Sequence, residues 1–283
     1  MEHSVLMSVV RRPLSPDARI EVPATWTEFP RLWYDSSSKL ATVVAAPTPL
    51  HSDMVGELMG HLSDACNDLM RRGGISETIR EGLTRSTDTT NCADADDGLT
   101  IREWDGALSY VIDGERTLMV AFEVGVSQTY KSLRAAISWY VCALHCHLGI
   151  AMHGERPTVQ YYATREDARA VIERARDDLR NKLHQNPLGP LQWNGLTLFG
   201  TLRNVTIETF RNEDVDCPPD TLLEPAQSFV IVKEGRFSEQ DVPPNLKEHH
   251  FFRRSWFESK ISTAILDTAV LRIRRNTKVA RAQ

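Results

Sequence analysis

An α/β core with helices packed on a mixed β-sheet is the fold class this sequence predicts. Over 51–72 the apolar residues Met54, Val55, Leu58, Leu62, Ala65, Cys66 and Leu69 fall on one helical stripe, and Gly73-Gly74 ends the run as cap glycines do. Two strand-like runs, 99–104 and 117–124, flank the turn signal Asp113-Gly114-Glu115. The order that results (strand, helix, strand, strand, helix, strand) sets helices against a sheet instead of bundling them.

Residues 1–38 carry Pro13, Pro16, Pro23 and Pro30 and read as an N-terminal arm or short edge element. Next, 40–46 (LATVVAA) is a short apolar strand closed by Pro47 and Pro49. Beyond the first helix, 86–98 (STDTTNCADADDG) reads as a polar, acidic loop. A second helix is expected over 128–148, burying Tyr130, Leu133, Ile137, Val141 and Leu144. Residues 149–162 look extended, and 164–185 form a strongly charged helix that is solvated or faces a partner. The runs 196–202 and 205–210 suit a hairpin or two late strands, and 229–232 one more. An amphipathic helix over 255–275 closes the chain. The regions are therefore an arm (1–38), an α/β core (39–235) and a C-terminal helical extension with a basic end (236–283).

A chain of 283 residues can bury a sizeable core as one large domain or two small ones. With 41% hydrophobic and 25% charged residues, the composition is that of a soluble globular protein. A net charge of −5 gives no global sign of a nucleic-acid binder. The charge is uneven, however: from position 253 onward eight basic residues stand against two acidic ones. Such a tail either touches phosphates or is simply solvated. No apolar run reaches the roughly 18 residues of a membrane span, and no secretory leader is read, so no membrane partner is expected. Cys66, Cys92, Cys142, Cys146 and Cys217 are odd in number and irregularly spaced. That predicts free thiols in a reducing compartment, cytoplasmic or nuclear.

The most informative run is TLMVAFEVGVSQTY over 117–130, apolar and strand-like with Glu123 inside it. Charged side chains are rarely buried in such a run unless they are paired or hold a metal. Eighteen residues upstream stands Asp105, in the sequence EWDGALSY. Acids on two successive strands can converge on one hard divalent cation. The competing readings are an ion pair of Glu123 with Arg102 or Lys131, and a turn built on Asp105-Gly106.

Residues 47–147 carry a family resemblance. Pro47-Thr-Pro-Leu-His51 opens the first helix, Trp104-Asp105-Gly-Ala-Leu follows a polar segment, and VAFEVGVSQTY precedes Leu133, Ala135-Ala136 and Trp139. The pattern resembles the PD-(D/E)xK restriction-endonuclease-like superfamily, and within it a fungal branch. The resemblance implies a restriction-endonuclease-like mixed β-sheet core flanked by helices. It further implies divalent-metal-dependent hydrolysis of phosphodiesters in DNA or RNA, with Mg²⁺ or Mn²⁺ as cofactor. Asp105 and Glu123 would be the acids, catalytic and metal-binding, and the Val124 carbonyl a further ligand. Two positions depart from the signature: Trp104 replaces the Pro, and Gly125 replaces the Lys. In a strand, residues 123 and 125 share a face, so the missing amine leaves a gap beside the nucleophile. Gln128 or Lys131, at the start of the next helix, can reach that space. Without a replacement, the fold would instead be a catalytically inactive module that binds protein or nucleic acid.

His51 shares the apolar stripe of its helix, as a core histidine or as a metal or phosphate contact. Glu57 falls about 120° off that stripe and is expected to face solvent. Cys142, His145, Cys146 and His147 have helical spacing suited to zinc, but a structural site needs four converging ligands. No Gly-rich phosphate loop, nucleophile elbow or dinucleotide fingerprint occurs. The charged 164–185 helix and the closing helix are candidate surfaces for a homo-oligomer.

Overall fold

A computed structural model of the chain describes residues 12–13, 31–35, 40–44, 48–95, 98–126, 128–155, 157–211, 217–218, 221–238 and 254–275. Short strands β1 (Arg12–Pro13), β2 (Arg31–Asp35) and β3 (Leu40–Val44) precede the helices α1 (Pro49–Arg71) and α2 (Glu77–Gly82). Three long strands follow, β4 (Leu83–Ala95), β5 (Gly98–Ile112) and β6 (Glu115–Gly125), then helix α3 (Tyr130–Ala143). Next come β7 (Leu148–Gly154), β8 (Tyr162–Thr164), helix α4 (Ala168–Gln185), β9 (Leu191–Trp193) and β10 (Leu196–Phe199). The last elements are β11 (Val205–Phe210), β12 (Gln227–Lys233), β13 (Arg236–Phe237), helix α5 (Arg254–Leu271) and β14 (Ile273–Arg275).

Ten strands form one mixed, mostly antiparallel sheet in the order β1-β3-β2-β5-β6-β7-β11-β12-β13, with β4 also paired to β5. Its one parallel pair among the described residues is β6–β7, and parallel neighbours need a crossover, which α3 provides. The β5–β6 hairpin turns at Asp113-Gly114, with φ of 51° and 84°. Two successive positive φ values define the turn that matches the right-handed twist of its flanking strands. The smaller β9–β10 hairpin uses Asn194-Gly195 in the same way.

Side-chain alternation divides the core between two faces. On one face α1, α4 and α5 cover Leu108, Val120, Phe122, Val124, Ile150 and Met152. On the other, α3 covers Trp104, Ala107, Leu118, Ala121, Ala151 and Phe210. Helix α1 starts at the cap Thr48, whose hydroxyl accepts from the His51 amide, with Pro49 in the first turn. The Leu50 amide, an orphan donor of that turn, bonds the Thr268 hydroxyl of α5 at 3.0 Å. Thus the start of α1 is fixed beside the ends of the central strands β6 and β7.

Five expectations need correction. The segment 86–98 is not a loop: Leu83–Ala95 is strand β4, paired along β5. Its threonines favour a strand, and polar residues suit a strand at the edge of a sheet. Helix α3 stops at Ala143 because His145 takes a left-handed φ of 52°, and the Cys146 amide reaches back to the Tyr140 carbonyl at 3.1 Å. Glu57 does not face solvent: it is buried on α1 and paired with Lys260 of α5 at 2.9 Å. Free thiols hold for Cys66 and Cys146 but fail for Cys142 and Cys217, which form a disulfide with a Cα separation of 5.1 Å. That bond also removes Cys142 from any zinc set. The charged helix is solvated only in part, since α4 buries Val171, Ala175, Leu179 and Leu183 at every fourth position. Among the described residues no helix is long and apolar enough to cross a membrane. The basic residues Arg253, Lys278 and Arg281 of the tail lie outside the described residues.

Candidate functional site

Strand β6 is buried without interruption from Val120 to Gly125, so Glu123 has nowhere to reach water and is 2% exposed. Its compensation comes from the α3 layer, where the Tyr140 hydroxyl donates to Glu123 Oε1 at 2.6 Å. A short bond to a carboxylate is one of the stronger neutral-to-charged contacts. The same hydroxyl lies 3.1 Å from the Glu103 carbonyl. Trp104 packs edge-on against Tyr140, with ring centroids 5.9 Å apart, and fixes the phenol. Arg102, one expected ion partner, reaches the Ala135 carbonyl at 3.3 Å and stacks over Trp139.

Asp105 is 1% exposed and lies inside β5, so the turn reading of Asp105-Gly106 does not hold. Its Oδ2 accepts from the Val124 amide at 2.6 Å and lies 3.0 Å from His51 Nε2. The β5–β6 register runs as far as Gly106↔Phe122, the pair that adjoins Asp105 on one strand and Glu123 on the other. Alternation along β5 slips here. Trp104 packs on the α3 side, yet both Asp105 and the open face of Gly106 lie on the α1 side, where Phe122 covers the glycine. That slip turns the carboxylate toward His51. The structure therefore brings His51, Asp105 and Val124 together, and holds the opposing Glu123 from the other layer.

A Cβ on Gly125 would lie 3.1 Å from Leu133 and 3.6 Å from Cβ of Gln128. Position 125 thus faces α3, as position 123 does. Gln128 stands beside the place of the signature Lys, and its amide donates to Ser132 Oγ at 3.1 Å. Lys131 is exposed in the first turn of α3. A narrow apolar cleft opens at the ends of β6 and β7, lined by Leu50, Met54, Val124, Gly125, Met152 and His153 among others.

Sequence reasoning missed Tyr140 and a second polar group beside the cleft. His153 of β7 has its Nε2 3.8 Å from Glu208 Oε2 of β11, and its ring 4.7 Å from that of Tyr130. Desolvation, then a hydrogen bond to Glu208, pushes the Tyr130 phenol up to about 12. Burial holds His153 below its ordinary value, although Glu208 pulls the other way. Period-two alternation after Gly149 would have put His153 on the Ala151 face, but nothing local pairs it with Glu208. Among the described residues no three His, Cys, Asp or Glu side chains gather as a metal cluster.

Fold and site together define a mixed α/β protein with two buried acids on its central strands. No family model matches the chain, and no curated protein matches it.

Proposed function

We propose that this chain is a divalent-metal-dependent nuclease that hydrolyses phosphodiesters on a PD-(D/E)xK restriction-endonuclease-like fold. One observation carries the reading: Asp105 and Glu123 are both almost wholly buried, on the adjacent central strands β5 and β6. Isolated carboxylates are costly to bury, and perturbed or buried acids beside a cleft cluster at functional sites. The donor set suits a hard cation. In this reading Asp105, Glu123 and the Val124 carbonyl would supply the oxygens, since Mg²⁺ is usually held by one or two carboxylates and keeps several waters, with Asp105 turning from its contact with His51 and Glu123 from Tyr140. Mn²⁺ accepts the same oxygens. When bound, the ion supplies a water of lowered pKa and neutralises charge at the scissile phosphate.

The chain's own residues do the rest. His51 and the Val124 amide hold Asp105, and Tyr140 holds Glu123. Gln128 lies where it can orient substrate beside Gly125. Lys131, exposed on the first turn of α3, offers a charge to an approaching backbone phosphate. The partner in this reading is DNA or RNA, the compartment cytoplasm or nucleus, and self-association would use α4 or α5.

A second reading has a specific observation behind it. Gly125 carries no amine, and a larger residue there would press on Leu133. The protein would then be an inactive nuclease-fold module that binds protein or nucleic acid.

A thermal melt of wild type and Glu123→Gln, with and without Mg²⁺ or Mn²⁺, separates the two. The amide oxygen of Gln can still accept from Tyr140, so the variant is expected to fold. A ligand bound only to the folded state raises stability, by about 2.7 kcal/mol at a hundredfold excess over Kd. The nuclease reading expects a metal-dependent rise in Tm that Glu123→Gln abolishes. No rise in either folded protein would transfer the case to the binding module.

A further inference from the structure

We propose that Tyr140 is a two-position latch on Glu123: its hydroxyl holds the carboxylate away from a cation, and turns to the Glu103 carbonyl when Glu123 is released to bind one. The inference rests on the metal-dependent reading and names the contact that such a site must undo before it fills.

The two acids are held from opposite layers. Asp105 is bound from the α1 side by His51, and by the Val124 amide, whereas Glu123 is bound from the α3 side by Tyr140. The sheet lies between these holders, so both carboxylates can meet one ion only after leaving them. For Glu123 the obstacle is a hydroxyl with a single proton. That hydroxyl lies within reach of two acceptors, Glu123 Oε1 at 2.6 Å and the Glu103 carbonyl at 3.1 Å. The shorter, charge-assisted bond takes the proton while Glu123 is in place. Once the carboxylate leaves, the Glu103 carbonyl accepts it, and the buried hydroxyl avoids the cost of an unmade bond.

Packing confines the switch to few atoms. The Tyr140 ring is fully buried, edge-on against Trp104 and Trp139 with centroids 5.9 and 5.5 Å away. Helix α3 is fastened on either side of it: Ser138 accepts from the Leu223 amide, and Cys142 is bonded to Cys217. The ring therefore stays, and switching needs only a turn of the hydroxyl about its C–O bond and of the Glu123 side chain. A ligand shifts such an equilibrium only by its differential affinity for the two states. Its apparent affinity falls by the fraction of molecules already released, so removing the latch tightens binding. The competing reading is a hydroxyl that only compensates a buried charge, whose loss would lower stability and leave binding unimproved.

The test titrates Mn²⁺ into the full chain as wild type, Tyr140→Phe, Trp104→Phe and Glu123→Gln. Free Mn²⁺ is read by its electron spin resonance signal, and each Tm is measured without metal. We expect Tyr140→Phe to lower the metal-free Tm yet bind Mn²⁺ about 10-fold more tightly, the scale of one hydrogen bond to a charged group. Glu123→Gln should lose binding. Trp104→Phe keeps the hydroxyl but loosens its ring, so it should tighten binding by a smaller factor, and it carries the test if Tyr140→Phe does not fold. Unchanged or weaker binding by the folded latch variant, with wild type binding through Glu123, overturns the latch and leaves the metal reading standing. No binding by wild type or by the latch variants, or binding that survives Glu123→Gln, overturns both.

Discussion

At the scale of single residues, Gly106 decides how Asp105 is presented. A Cβ at position 106 would lie 2.1 Å from Cζ of Phe122, whose ring closes over the glycine on the α1 side. The close approach anchors the slip in alternation that directs Asp105 to His51 and the Val124 amide. Gly106→Ala must therefore displace Phe122 or restore alternation, and either moves the carboxylate. Overpacking of this kind costs about 1–3 kcal/mol, and we expect a lowered denaturation midpoint of that size. Combining it with Phe122→Leu should cost less than the two changes separately, since they share one contact. Additive costs in a chemical-denaturation cycle would show that the ring and the glycine act independently.

At the scale of elements, legibility tracked how local the forces were. Helix α1 was readable because its apolar stripe, Pro49 and Gly73 all belong to one stretch of chain. So was the β5–β6 hairpin, whose Asp113-Gly114 sets its own turn. Strand β4 was hidden because Thr-rich polar sequence at a sheet edge looks like loop, and only pairing with β5 reveals it. The end of α3 was hidden because apolar Leu144, Cys146 and Leu148 prolong the helical pattern after the chain has turned at His145. The acids Asp105 and Glu123 stood out against apolar neighbours. Their holders, Tyr140 and His51, and the pair His153–Glu208 are set by contacts between elements distant in sequence. Helix α4 shows both effects: its charge was plain, its buried stripe was not. Leu179 lies fully buried in that stripe, so Leu179→Ala should cost about 2–5 kcal/mol. Arg180→Ala, on the solvated side, should stay within about 0.5 kcal/mol. Equal, small effects of the two in urea melts would mean that α4 does not bury its Val171–Leu183 stripe in the core as described.

Across the whole molecule, the layers on the two faces of the sheet are secured by different means. The α1, α4 and α5 layer rests on a continuous apolar cluster, with Glu57–Lys260 and Arg176–Asp267 closing its edges. The α3 layer is a single helix with a smaller cluster, and the segment after β11 straps it down. Arg134 bonds the Leu223 carbonyl and pairs with Glu224, and Ser138 accepts from the Leu223 amide at 2.9 Å. The Cys142–Cys217 disulfide joins helix and strap covalently across 75 residues. Closing a loop of that order contributes typically 2–4 kcal/mol by constraining the unfolded chain. Each kcal/mol shifts the Tm of a chain this large by roughly 2–4 °C, so reduction or Cys217→Ser should lower it by roughly 5–15 °C. Disulfides persist where the surroundings are oxidising, which opposes the reducing compartment read from cysteine spacing. Alkylation in denaturant, followed by peptide mapping, decides between them. Cys142 and Cys217 should stay unlabelled until reductant is added, whereas Cys146, whose thiol burial pushes up to about 12 in the folded state, should label on unfolding alone. If all of them label at once in protein taken directly from the cell, the strap is held by Arg134 and Ser138 without the covalent bond. The α3 layer, which carries Tyr140 against Glu123, would then be the part of the fold most easily opened.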